Sequence, residues 1–140
     1  MFDKLNTLIE NNRFTLIDLD AVEHLRAWAA SAPVIEKVIG QPRLIYGDLT
    51  AEQVFVISDG YKVIDWQRPV IAPSEVDLVT LLVRQKIEPR QYVDPVVVGI
   101  YWFLHLRWVV EAQYDLFPEK HWAAFDQWAA EAINQILRDA

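Results

Sequence analysis

The chain contains no cysteine. That excludes disulfide staples, thiolate metal centres and cysteine nucleophiles, and it is compatible with a cytoplasmic location. Glycine is also scarce, with four in 140 residues, and the first is Gly40. A glycine-rich phosphate loop is therefore absent from the first third of the sequence. Basic residues are outnumbered, and the formal net charge is -7. Phosphate contacts supply most of the affinity of nucleic-acid binders, so an acidic chain argues against nucleic acid as a partner. A local nucleotide site is still compatible with this field if Mg²⁺ neutralises the phosphates. Long apolar runs are missing too. The most apolar segment follows Pro95 and is broken by His105 and Arg107, short of the roughly 18 residues a membrane span needs. The N-terminus, MFDKLNTLIENNR, lacks the basic-then-apolar order of a signal peptide.

What is present points to one folded domain over residues 1–140. Hydrophobic residues make up 53% of the chain, with six tryptophans, enough for a sizeable core. Phe2, Leu5, Leu8 and Ile9 recur at helical spacing, and Asn11-Asn12 stops that helix. Phe14 to Leu19 reads as an extended connection. Asp18 or Asp20 can cap the next helix, which carries Val22, Leu25 and Trp28 on one side. Ser31-Ala32-Pro33 breaks it, and a short helical piece runs on to Gly40 and Pro42. Leu44-Ile45 reads as a short strand. Val54 to Ile57 and Tyr61 to Ile64 form a hairpin around Asp59-Gly60. A hairpin this short must lie against helices. Arg68 to Ser74, with two prolines, reads as a loop.

Three helices complete the expectation. Ser74 with Asp77 suggests a capping box, and the helix that follows is apolar around much of its circumference, hence central, until Glu88-Pro89. Asp94-Pro95 starts a second helix that reaches about Tyr114. Pro118 starts the last. The fold class is thus mainly α (α+β), helices around one small hairpin. His24, His105 and His121 form no metal-ligand spacing, and no serine sits in a nucleophile elbow. The run Tyr101-Trp102-Phe103 cannot all face one way, which suggests a contact with a partner such as a second copy.

The remaining chemistry is concentrated between Leu44 and Trp66. Asp48 precedes the hairpin and Asp65 closes it. Isolated aspartates at such positions are commonly turn and cap residues. The stretch Leu44-Ile45-Tyr46-Gly47-Asp48-Leu49 to Gln53-Val54-Phe55-Val56, then Val63-Ile64-Asp65-Trp66, resembles the aminoglycoside phosphotransferase and choline kinase-like family. That family has a His-Gly-Asp-Leu-His-Pro-x-Asn catalytic loop, followed by a hairpin ending in Ile-Asp-Trp or Ile-Asp-Phe. The segment from Glu75 to Leu82 is similar to the family's Tyr-Asp-Leu-Ala-x-Leu-Leu helix.

The resemblance implies the C-terminal lobe of a kinase-like fold that transfers the γ-phosphate of ATP to a hydroxyl of a small molecule. It implies Asp48 as the catalytic base, with Asp65 and Gln53 as Mg²⁺ ligands. Tyr46 and Asp77 would support the loop. Trp108, Glu111 and Asp115, on the C-terminal helices, would border an acceptor, and an acidic, aromatic cleft suits a cationic one. The family's nucleotide-holding N-terminal lobe has no counterpart here, so a separate lobe is an implied partner. Four family positions differ: Tyr46 stands for histidine, Thr50-Ala51 for His-Pro and Gln53 for asparagine. These departures leave a second reading, a catalytically degenerate, pseudokinase-like lobe that binds a small molecule or a protein.

Overall fold

The computed structural model describes residues 1–40 and 42–140. The order is α1 (Phe2–Glu10), α2 (Leu19–Ala29), α3 (Ala32–Gly40), β1 (Arg43–Ile45), β2 (Val54–Ile57), β3 (Gly60–Val63), β4 (Val70–Ala72), α4 (Glu75–Arg84), α5 (Pro95–Glu111) and α6 (Ala123–Leu137). The protein is mainly helical with two small antiparallel sheets, an α+β composition. No helix among the described residues is long and apolar enough to cross a membrane. The chain divides into two compact units, residues 1–35 with 99–140, and residues 36–98.

The first unit is a sealed helical packing. Leu5 and Leu8 of α1, Val22 and Leu25 of α2, Leu106, Val109 and Val110 of α5, and Ala129, Ile133 and Ile136 of α6 meet in one core. Each fully buried Leu or Ile contributes about 1.5–3 kcal/mol. α6 buries Phe125, Ala129, Ala132, Ile133 and Ile136, a helical stripe. Asn11 caps α1, and Asn12 takes a left-handed φ of 54° to turn the chain out of it. Asp18, rather than Asp20, caps α2 by accepting from the Ala21 N–H at 2.6 Å. The connection from Phe14 is pinned by Asp126 of α6. Its carboxylate accepts from the Thr15 N–H and hydroxyl, both at 2.8 Å, and from the Leu16 N–H at 3.1 Å.

Two members of the aromatic run of α5 pack against the core of this unit. The Phe103 ring packs against Phe2 and Trp28, and Trp102 lies against the core. Gly99 lets α5 approach α2: a Cβ there would stand 2.6 Å from Cζ2 of Trp28. α5 ends at Glu111 and passes into a π-helical turn over Ala112–Leu116. Buried Gln113 then donates to the carbonyls of Phe117 and Lys120, which holds the chain in a turn. The last helix consequently starts at Ala123 rather than at Pro118.

The second unit departs further from expectation. Arg68 to Ser74 is not simply a loop. Val70–Ala72 pairs with β1, in the register Arg43 with Ala72, Leu44 with Ile71 and Ile45 with Val70. Ile45 and Ala72 face inward and are buried, while Leu44 and Ile71 face out. The β2–β3 hairpin does not bury itself against helices: Phe55, Val56, Ile57 and Tyr61 are all exposed. Ser58 and Asp59 form its turn, with Gly60 at a φ of 148° opening β3.

Ser74 makes no capping bond to the start of α4. Its own φ and ψ are helical, and its hydroxyl bonds the Glu75 carboxylate. α4 is one-sided rather than central, burying Val76, Val79 and Thr80 while Leu78 is exposed. It stops at Arg84, short of Glu88-Pro89, where Lys86 takes a φ of 59°. Asp94 caps α5 through the Val96 N–H at 2.9 Å. The same carboxylate pairs with Lys37 of α3 at 2.7 Å.

Candidate functional site

β1 delivers the chain into the turn Tyr46-Gly47-Asp48, and α4 holds that turn in place. Asp77, in the first turn of α4, accepts the Tyr46 N–H at its Oδ2 and the Gly47 N–H at its Oδ1, both at 2.8 Å. One carboxylate thus satisfies two consecutive backbone donors that no strand pairs. Gly47 takes a φ of 81°, and a Cβ there would meet the Arg68 carbonyl oxygen at 2.4 Å. The loop is therefore built around a residue without a side chain at that point.

The Tyr46 ring is buried, with 2% of its surface exposed. Its hydroxyl donates toward the carbonyl oxygens of Ile64 and Asp65. The ring lies against Trp66, centroids 5.0 Å apart. The tyrosine thus ties the loop to the end of the hairpin segment. Asp65 sits at a φ of 66°, a conformation uncommon outside glycine that aspartate and asparagine tolerate best. Gln67 fixes it from both sides, its N–H on the Asp65 carbonyl at 2.9 Å and its Nε2 on Oδ1 at 2.8 Å.

The electrostatics converge on the tyrosine. Burial holds its hydroxyl above the usual phenol range, and the negative charges of Asp65, Asp48 and Asp77 push it further in the same direction. All three aspartates therefore act on one point. Asp48 itself is half-exposed and pairs with Arg84 of α4, Nη2 to Oδ1 at 3.3 Å. Glu52 is held below the usual carboxylate range by backbone N–H bonding first, then by the Thr50 hydroxyl, with a smaller contribution from Arg84.

Gln53 is occupied locally. Its Oε1 accepts the Thr50 N–H at 2.8 Å, closing the short 3₁₀ turn Ala51–Gln53. No three histidine or acidic side chains among the described residues are grouped as a metal site. Oδ1 of Asp65 is occupied by Gln67, which leaves Oδ2 of this exposed side chain for a ligand. Mg²⁺ commonly takes one or two carboxylates and completes its shell with phosphate and water. Asp65 fits that requirement. The Gln53 amide oxygen would be shared with the Thr50 N–H.

Trp108, Glu111 and Asp115 belong to the other unit. Trp108 packs into an aromatic cluster with Phe125 and Trp128. Glu111 pairs with Arg107 at 2.9 Å, and Asp115 pairs with Lys4. Two residues to which the sequence reading gave no role stand at the loop: Arg84 on Asp48 and Trp66 on Tyr46. Arg84 was legible in principle. It lies seven residues after Asp77, two helical turns along the same face of α4.

No protein-family model, characterised protein or solved structure matches this chain.

Proposed function

We propose that the chain is the C-terminal lobe of a small-molecule phosphotransferase of the aminoglycoside phosphotransferase-like type. The observation that carries this reading is the joint support of Asp48 and Asp65. Asp77 fixes the turn that presents the first, and Tyr46 ties that turn to the backbone of the second. Positioning is most of what phosphoryl transfer asks of a protein.

In this reading Asp48 accepts the proton of the acceptor hydroxyl as its oxygen bonds to the γ-phosphorus and the bond to the leaving ADP breaks. Arg84 must first yield Asp48, and their exposed pair at 3.3 Å is of the kind worth about 0–1 kcal/mol. Mg²⁺, held by Asp65, would spread the charge of the transferring phosphate. A nucleotide-holding lobe comes from outside residues 1–140.

A second reading is a catalytically silent binding lobe. It is favoured by the Arg84–Asp48 pair and by the engagement of Gln53 in its own turn. One experiment separates the two. Thermal unfolding is followed with and without Mg²⁺-ATP in the presence of the nucleotide-holding lobe, for the wild type and for Asp65→Asn. A ligand at 100 times its dissociation constant stabilises by about 2.7 kcal/mol. The enzyme reading expects a rise in Tm that needs Mg²⁺ and is lost in Asp65→Asn. A transition that nucleotide leaves unmoved selects the silent lobe.

A further inference from the structure

β2 has an unusual composition for an exposed strand. Val54, Phe55, Val56 and Ile57 are all apolar, and Val56 is 79% exposed. Alternation puts Val54 and Val56 on one face of the hairpin and Phe55 and Ile57 on the other. Tyr61, 75% exposed, stands opposite Val56, so neither face is the usual polar one.

The outer edge of β2 is open as well. The Ile64 N–H donates to the Gln53 carbonyl at 3.1 Å, which makes Gln53 and Ile64 a hydrogen-bonded pair. Alternation along the ladder then makes Phe55–Lys62 and Ile57–Gly60 hydrogen-bonded pairs and Val56–Tyr61 a non-hydrogen-bonded one. The N–H and C=O of Val56 consequently point away from β3. Among the described residues no other strand joins that edge. No proline, glycine or charge within β2 guards it, although exposed edges usually carry such a guard.

We propose that β2 pairs antiparallel with β2 of a second copy of this chain, about a two-fold axis through Val56. The two Val56 residues exchange a pair of N–H···O=C bonds, and Phe55 lies opposite Ile57 of the second copy. A four-stranded sheet results, closed by symmetry.

Composition and charge favour a second copy as the occupant. The edge residues Phe55, Val56 and Ile57 are 48%, 79% and 45% exposed, and an antiparallel edge is complementary to a second copy of itself about a two-fold axis. The chain as a whole carries -7, so two copies repel over most of their surface. Residues 54–64 hold one acid, Asp59, and one base, Lys62. Two copies can meet there without bringing net charge together.

Sedimentation equilibrium at micromolar to submillimolar concentration tests the proposal. The wild type is expected to show twice 16.3 kDa, and Val56→Lys to fall to the monomer mass with its far-UV circular dichroism unchanged. The absence of cysteine gives a second, independent measurement. Opposed hydrogen-bonded residues stand about 5.5 Å apart at Cα, inside the disulfide range of 4.4–6.8 Å. Val56→Cys is therefore expected to cross-link into covalent dimers on mild oxidation, while Ile39→Cys on α3 stays monomeric. A wild type that is monomeric throughout overturns the proposal. So does a dimer whose mass Val56→Lys leaves unchanged, or a Val56→Cys chain that does not cross-link.

Discussion

Asp126 and Asp77 use the same device in two different settings. Each is a helical aspartate whose carboxylate collects the backbone N–H groups of two consecutive residues in a distant segment. Asp126 lies buried in the sealed helical unit and adds the Thr15 hydroxyl to its partners. Asp77 is half-buried in the second unit and holds the turn that carries Asp48. In the first unit the pinned segment contributes Phe14 and Ile17 to the core, so the carboxylate serves packing. In the second unit the pinned turn leads to half-exposed polar groups, and the carboxylate serves presentation. The same local chemistry thus has different consequences according to what the pinned segment carries.

Breaking the two clamps gives the largest effects. Asp126→Ala leaves two N–H groups and a hydroxyl without their acceptor in the interior, and hydrogen bonds to a charged group are worth about 1.5–3 kcal/mol each. The three bonds share one carboxylate and do not simply add, so a loss of roughly 3–4 kcal/mol is expected in urea unfolding, spread over the whole first unit. Asp77→Ala is expected to cost roughly 2–3 kcal/mol, with faster amide exchange confined to the loop around Tyr46 and Gly47. Equal exchange throughout the chain would erase the distinction between the clamps. Gly99→Ala comes next. Alanine favours helix by up to about 1 kcal/mol over glycine, but the clash with Trp28 makes overpacking dominate, for a net loss of about 1–2 kcal/mol. Unchanged or raised stability would show that α5 and α2 are not in close contact there.

Tyr46→Phe has a smaller effect and a clear pH signature. The folded protein holds the Tyr46 hydroxyl above its unfolded value near 10. The protonated form is the one the fold favours, so its stabilisation is full below that value and is lost as pH rises through the folded pKa. Wild-type stability is expected to fall above about pH 10, and the Phe variant to lack that component. It also loses about 1 kcal/mol at neutral pH from the missing carbonyl bonds. The smallest effect belongs to Lys37–Asp94. Its hydrogen bond to Lys37 lowers the Asp94 pKa, so the stabilisation is present above the usual carboxylate value and lost as pH falls through the folded one. The pair is about half exposed. Lys37→Met should therefore reduce stability only slightly, and only above that acid range.

The legibility of the sequence follows the same division. The helices of the first unit were readable because a buried stripe repeats with the helical period, as Phe125, Ala129, Ile133 and Ile136 do. Capping by Asp18 and Asp94 was readable because it is local. The β1–β4 pairing was not, since each strand has three residues, prolines flank the second, and the pairing is between segments far apart in sequence. The Ser74–Asp77 motif misled for a related reason. Asp77 satisfied the pattern of a cap, but two distant N–H groups offered it more than the start of its own helix did. At the candidate site, the spacing of Asp48 and Asp65 was visible in the chain. The Arg84 contact and the turn that occupies Gln53 depend on how α4 and the 3₁₀ turn are placed.

The packing of Trp66 against Tyr46 has an optical consequence. Five of the six tryptophans, Trp28, Trp102, Trp108, Trp122 and Trp128, fall within the first unit, and Trp66 alone falls within residues 36–98. In a variant with the other five replaced by phenylalanine, intrinsic fluorescence would come from a half-exposed indole adjoining Asp65. Its emission maximum and its accessibility to quenchers would report the state of the Tyr46 loop directly, with no added label.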